Sequence, residues 1–281
     1  MIQRRTFPAM GTTVELLVDA DEADAALDAA EGEFHRLEAA LSRFRPESEL
    51  SLLNRTGSVD PSPDLRRVVE LALDGRQRTG GRFDPTVHDA LVAAGYDRSF
   101  EQVPPDAPER SAGAACGGSV AVGERIELAP GVRVDLGGIG KGYAAERAAE
   151  LLALAGPCLV NAGGDVAVRG GSWPVGVQTH DGTLSLELTA GGLATSGIDR
   201  RRWRRGGNEL HHIVDPQTGV PAQTDLLRIT VVAADLVEAE IWGKALLIAG
   251  ACAAEAEAEV RRLPAVIVTR DGRTVLAGGL A

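Results

Sequence analysis

Between Val134 and Glu146 lie four glycines, Gly137, Gly138, Gly140 and Gly142, with Lys141 set among them. The stretch opens on apolar residues around one carboxylate, Asp135, as the end of a strand would. From Tyr143 to Leu154 an Ala/Leu pattern follows with helical spacing. The local reading is therefore strand, glycine turn, helix. A turn of this kind lets backbone approach a ligand closely, and a helix N-terminus offers unpaired N–H groups to an anion. Lys141 adds a cation at the same place, so a phosphate or pyrophosphate is the natural guest. The spacing is not that of a Walker loop and fits the dinucleotide fingerprint poorly. A tight turn with a solvent-facing lysine is the plainer alternative.

At 281 residues the chain is long enough for one large domain or two small ones, and 44% hydrophobic content supports a sizeable core. Aromatic residues make up only 4%, so that core is built from Val, Leu, Ala and Ile. A net charge of −11 argues against nucleic acid or an anionic membrane as partner, while leaving room for a local phosphate site. Cys116, Cys158 and Cys252 are widely spaced and match neither a disulfide framework nor a zinc pattern. The first residues contain no apolar signal core and no lipobox cysteine, and no 18-residue apolar run occurs. A cytoplasmic location without a transmembrane segment is the expectation.

Along the chain, residues 6–19 read as one strand and 21–41 as an amphipathic helix, with Asp21 as its N-cap. A polar turn and a short helix follow around 41–54. A further helix covers 63–79 and ends at Gly80-Gly81. Residues 101–119, rich in Pro, Ala, Gly and Ser, read as a surface excursion within one domain spanning 1–281. Two short strands are expected in 120–135 around Pro130-Gly131. Strands then dominate 158–234, and helices are expected at 236–250 and 252–262. A terminal hairpin turns at Asp271-Gly272. Strands and helices mix without regular alternation, so the fold class is α+β, with mixed sheets and flanking helices.

Six segments stand in order: Met10-Gly11-Thr12, Phe83-Asp84-Pro85-Thr86, Val134 to Lys141, Asn161 to Asp165, Ala194-Thr195-Ser196-Gly197, and His211 to Gly219. Together they resemble the ApbE family of FAD:protein FMN transferases, over about residues 6–250. The resemblance implies a single α+β domain holding FAD in a cleft. It implies transfer of FMN to a Ser or Thr of an acceptor protein with release of AMP, assisted by Mg²⁺. Some family members hydrolyse FAD instead, so an FAD pyrophosphatase is an alternative. By position, Met10, Phe44, Arg82, Phe83, Asp84, Asp135, Lys141, Asp215 and Thr218 fall where the family binds flavin nucleotide, Asp215 and Thr218 by shaping their loop. Gly138 falls where a backbone carbonyl reaches the metal, and His212 at the proposed catalytic base. Phosphoryl transfer needs a positioned base and charge neutralisation, and histidine titrates in the useful range. His211 and His212, adjacent in a strand, face opposite ways, so one of them looks into the cleft.

One departure matters. The resemblance places an aspartate and a threonine on the late helix as metal ligands, and this chain has Glu240 and Lys244 there. An ammonium repels a cation, and Mg²⁺ requires hard oxygen ligands. Three outcomes remain open. Lys244 takes the metal's place, held by Glu240, leaving an FAD-binding protein with little transferase activity. Or the helix register differs, and Asp235 or Glu238 supplies oxygens. Or Glu240 and Lys244 form an exposed i,i+4 pair. Arg200–Arg205, five arginines in six positions, read either as a solvated hairpin or as a patch for an acidic acceptor or for FAD phosphates. Asp181-Gly182-Thr183 starts like an acceptor motif, but the following residues do not continue it, so self-modification is not expected.

Overall fold

The computed structural model describes residues 1–108 and 113–280. An eight-stranded sheet runs through it, every neighbouring pair antiparallel. In spatial order its strands are Ile2–Ala9, Thr12–Asp19, Cys158–Ala162, Asp165–Gln178, Thr183–Gly197, Leu226–Ala233, Ala265–Thr269 and Thr274–Ala277. The stretch expected as one strand over 6–19 is a hairpin. Met10 and Gly11 both have positive φ, 51° and 67°, and make the two-residue turn that a right-twisted hairpin favours. On the second strand Val14, Leu16 and Val18 are fully buried, the alternation of a strand with one face on the core.

Four of the helices pack against the sheet. Helix α1, Asp24–Leu41, buries Leu27, Ala30, Phe34, Leu37 and Leu41 at spacings of three and four. Its N-cap is Ala23, with no side-chain hydrogen bond, and not Asp21. Helices α2, Glu49–Thr56, and α3, Pro63–Arg78, follow, capped by Ser48 and Ser62. Helix α4, His88–Ala93, is short. Helix α5, Gly140–Leu152, packs between α1 and the sheet. Small residues on both sides, Ala144, Ala145, Ala148 and Ala149, permit that close double packing. Helix α6, Leu236–Ala249, is buried almost all round and lies on strands Thr183–Gly197 and Leu226–Ala233. Its start touches the sheet so closely that a Cβ on Gly192 would sit 2.3 Å from the Leu236 backbone. Helix α7, Ala251–Arg261, follows at once.

The other face of the sheet is covered by the chain's own long hairpin. Its register shifts between Arg169 and Trp173, where Gly170 and Gly171 take positive φ. Beyond the bulge, Trp173, Val175, Val177 and Leu188 join Leu159, Val168, Val266 and Val268 in one apolar cluster. The strands expected around Pro130-Gly131 lie earlier, at Val120–Val122 and Ile126–Leu128, and turn at Gly123–Arg125. Residues 106–107 of the expected surface excursion pair in parallel with Arg204–Arg205, so this part is tied down; residues 109–112 of it lie outside the described residues. No helix among the described residues is long and apolar enough to cross a membrane.

Replacing Gly192 by Ala should lower stability by about 1–3 kcal/mol, because backbone and not a flexible side chain blocks the new methyl. Gly32→Ala, in α1 with open space around it, should instead raise stability by roughly 0.5–1 kcal/mol. Urea unfolding of the two variants checks both signs.

Candidate active site

A cleft of about 720 Å³ opens where α5, α6 and the central strands meet, within the range of small-molecule sites. The glycine turn is one wall. Val134–Leu136 is extended but joins no sheet, contrary to the expected strand end. Asn54 clamps it instead: its Nδ2 donates to Val134 O and its Oδ1 accepts from Val134 N, both at 2.8 Å. The Asp135 carboxylate is occupied in bracing the turn. Its Oδ1 accepts from Gly137 N at 2.8 Å, and its Oδ2 meets Arg43 Nε at 2.6 Å. Both side chains of that ion pair are only 7% exposed, so its loss would leave an uncompensated buried charge.

At the start of α5 the Lys141 ammonium bonds Asp165 and, at 3.0 Å, Glu240 Oε1. Glu240 Oε2 accepts from Gly142 N at 3.1 Å. Asp165 Oδ1 accepts from Thr195 N at 3.0 Å. Burial alone would push the Lys141 pKa down, but Asp165 and Glu240 outweigh it and raise it. Lys244, one turn beyond Glu240 on α6, is placed differently. Its Nζ donates to the Glu240 carbonyl at 3.3 Å and lies 3.9 Å from the Glu240 carboxylate. That carboxylate is its one ion-pair partner among the described residues. Burial, then repulsion from Lys141 and Arg201, lower the Lys244 pKa against the pull of Glu240 and Asp165. Its stem lies along the glycine turn: a Cβ on Gly138 would fall 3.5 Å from Lys244 Cδ and Cε and 3.1 Å from the Phe83 ring.

Two of the three open outcomes for this helix are therefore removed. Asp235 caps α6, accepting from Glu238 N at 2.7 Å, and Glu238 pairs with Arg78. Neither lines the cleft. The Glu240 side chain is 1% exposed, so the pair is no surface i,i+4 bridge, and its nearer cation is Lys141. Magnesium does not fit these residues. Each carboxylate oxygen of Asp165 and Glu240 already accepts from an N–H or ammonium donor. Lys244 is a donor with no lone pair to offer. Among the described residues no group of three His, Cys, Asp or Glu side chains could hold a metal ion.

The same cleft is lined by an aromatic cluster of Phe44, Tyr96 and Phe100. Phe44 and Tyr96 have ring centroids 5.7 Å apart, and the Arg43 guanidinium lies 4.2 Å and 4.7 Å from those two rings. Phe44 remains 37% exposed, available to an aromatic guest. Met10 lines the cleft from the hairpin turn, and Phe83 packs beneath Gly138. Asp84 is buried there, accepting from Thr86 N and Oγ1 at 2.8 and 2.7 Å and facing Arg76 at 3.3 Å. Arg82 reaches the rim, but its guanidinium is spent on Glu257 of α7. Asp215 and Thr218, expected among the flavin-binding positions through their loop, do not line the cleft. Asp215 accepts from Gln217 N, and Thr218 donates to Asp215 O; both build the loop.

That loop delivers the histidines. His211 is used by the fold: its Nε2 lies 3.1 Å from Ala222 O and its Nδ1 accepts from Ile213 N at 3.3 Å. His212 lines the cleft, and its buried Nδ1 has no hydrogen-bond partner among the described residues. Burial, with Arg201, His211 and Lys244 nearby, pushes its pKa down to about 3. The arginine run splits, by alternation within the strand Arg202–Arg205 and by position before it. Arg200 and Arg201 line the cleft, Arg202 and Arg204 face solvent, and Arg205 is buried. Asp165 belongs to one of the six segments and Arg201 to the arginine run, one reading of which is a patch for FAD phosphates, whereas Arg43 and Tyr96 carry no site signal in the sequence.

A sequence profile of the ApbE family matches residues 10–267, and the chain belongs to that family. The FAD:protein FMN transferase of Treponema pallidum is 30% identical over 264 residues, covering 82% of this chain and 73% of the relative. That of Salmonella typhimurium is 28% identical over 256 residues, with 83% and 73% covered. Among solved structures, the ApbE protein of Thermotoga maritima superposes with a TM-score of 0.88 at 25% identity, over 99% of this chain and 97% of its own. The apo flavinyl transferase ApbE of Pseudomonas stutzeri shares the fold, with a TM-score of 0.84 at 23% identity over 99% and 95% of the two chains.

His212 makes stability depend on pH. Between about 3 and 6.5 the unfolded chain carries a proton on this ring that the folded chain does not, so stability rises with pH across that window. On acidification from pH 7 to pH 5, His212→Gln should lose less Tm than the parent protein, a difference that scanning calorimetry resolves.

Proposed function

We propose that the protein is an FAD:protein FMN transferase acting on a Ser or Thr hydroxyl of an acceptor protein. The observation that carries this reading is the shape of the cleft's chemistry. Aromatic rings, a pair of lysines and a neutral histidine whose Nδ1 has no partner among the described residues line one cleft. This suits a ligand with a flat ring system at one end and a diphosphate further along. The names carried by the relatives supply the reaction.

In that reaction the acceptor oxygen bonds to the phosphorus of the FMN half. The bond from that phosphorus to the bridging oxygen breaks, and AMP leaves with the bridging oxygen. The acceptor proton passes to the His212 ring, which is free to take it because burial and its cationic neighbours keep it neutral. Pyrophosphate anions arriving beside Arg201 and Lys244 offset the positive charge that holds this pKa down, so His212 becomes a stronger base once substrate is bound. Lys141 is held in a single orientation by two carboxylates, a preorganised charge of the kind phosphoryl transfer uses. Lys244 also favours a second reading: an FAD-binding protein of the same fold with little transfer, since one ammonium neutralises a transition state less than a coordinated dication.

Incubation with FAD and an acceptor peptide separates the readings. AMP release together with flavin bound covalently to the peptide is the expected result. AMP without labelled peptide would indicate a pyrophosphatase, and bound FAD without AMP would indicate a holder. His212→Gln should cut AMP release by about 10²–10⁴-fold while FAD still binds.

A further inference from the structure

Resting on the FAD reading above, we propose that Lys244 is this protein's built-in substitute for a divalent cation, so that FAD binds without metal. The argument starts from the order of partners. Lys141 is satisfied, with one carboxylate oxygen from Asp165 and one from Glu240. Those same carboxylates are filled by Gly142 N and Thr195 N on their remaining oxygens. Lys244 comes last, 3.9 Å from an oxygen already bonded to Lys141, with a backbone carbonyl as its closest acceptor. Only 19% of its side chain is exposed, and its stem is fixed against Gly138 and the side of α6. Two carboxylates balance two ammoniums in this cluster, but Lys244 makes only the long contact to Glu240 and one backbone hydrogen bond, so its remaining N–H donors are open to an anion in the cleft that it lines.

The neighbours determine which anion fits. Asp165 and Glu240 already hold Lys141, so an incoming anion is met by Lys244 together with Arg201, Arg200 and the start of α5, which line the same space. A diphosphate spans two such cations where a single phosphate meets one. Lys244 thereby does by a fixed charge what a bound dication would do by coordination. It also opposes coordination, because a cation at that point would be repelled by the ammoniums of Lys244 and Lys141, and every carboxylate oxygen of Asp165 and Glu240 is already engaged with a donor. Lysine acts on phosphate as a point charge and needs no bidentate geometry, which suits the single ammonium placed here.

Flavin fluorescence titrations of the full chain test this. FAD should bind equally, within about twofold, in EDTA and in millimolar Mg²⁺. Lys244→Met, which keeps the stem and removes the charge, should weaken FAD about tenfold or more. Riboflavin, which lacks phosphate, should bind parent and variant alike, and this shows that the cleft of the variant is formed. Should the Met variant fail to fold, Lys244→Gln is read in the same way. FAD binding that appears only with Mg²⁺ would overturn the inference and leave the flavin reading standing. So would a Lys244→Met or Lys244→Gln variant that binds FAD like the parent. Binding of neither FAD nor riboflavin under any condition would instead sink the flavin reading itself.

Discussion

The Glu240 carboxylate is the contact on which the rest of the cleft depends. It sits on a helix that is otherwise apolar, almost without access to water. An ionised group there is tolerable only because Lys141 and the Gly142 N–H meet it, one on each oxygen. In doing so it ties α6 to the first turn of α5 and, through Lys141, to Asp165 on the central sheet. Three elements distant in sequence are thus fixed at one point. The absence of a side chain at residue 142 is part of the arrangement, since a Cβ there would fall 2.5 Å from Glu240 Oε2. The glycines of the 137–142 stretch therefore serve internal packing as much as ligand approach.

An acidic protein that takes a polyanionic ligand must separate its local field from its overall charge. The chain carries −11, yet the carboxylates that reach the cleft are largely neutralised within the structure. Asp135 is held by Arg43, Asp84 faces Arg76, Asp199 holds Arg228, and Asp165 and Glu240 share Lys141. Among the described residues the cleft-lining Arg200 and Arg201 have no ion pair, against one such carboxylate, Glu101, and Lys244 has only its long contact to Glu240. Surface charge further away is screened over about 8 Å at physiological ionic strength, so an incoming diphosphate responds chiefly to these nearby cations.

Much of this was legible in the sequence wherever a residue acts through its immediate neighbours. Helix α3 shows itself through Ser62, Pro63 and its apolar spacing, and the glycine turn through its composition. The Met10-Gly11 hairpin was missed because a methionine at positive φ is not a turn signal, so two strands read as one. Asp21 is a plausible cap by residue type, but the helix begins three residues later, at Asp24, behind an uncapped Ala23. At the site, adjacency showed that only one of His211 and His212 could look inward, while the partner that occupies His211, Ala222 O, lies eleven residues away. Glu240 and Lys244 stood out as a pair. That Lys141 outcompetes Lys244 for the carboxylate follows from a contact across 99 positions, which no local pattern carries. Asp215 and Arg82 belonged to the right segments, but loop geometry and α7 claim their polar atoms.

The aromatic cluster has an optical consequence. Tyr96 and Phe100, which face the cleft, also pack on the buried Trp203, with ring centroids 5.7 and 6.5 Å away. A flavin stacked on Phe44 and Tyr96 would lie within energy-transfer range of that indole. The protein therefore carries its own donor chromophore, and in a chain reduced to Trp203 by Trp173→Phe and Trp242→Phe its emission would report occupancy of the cleft without any label.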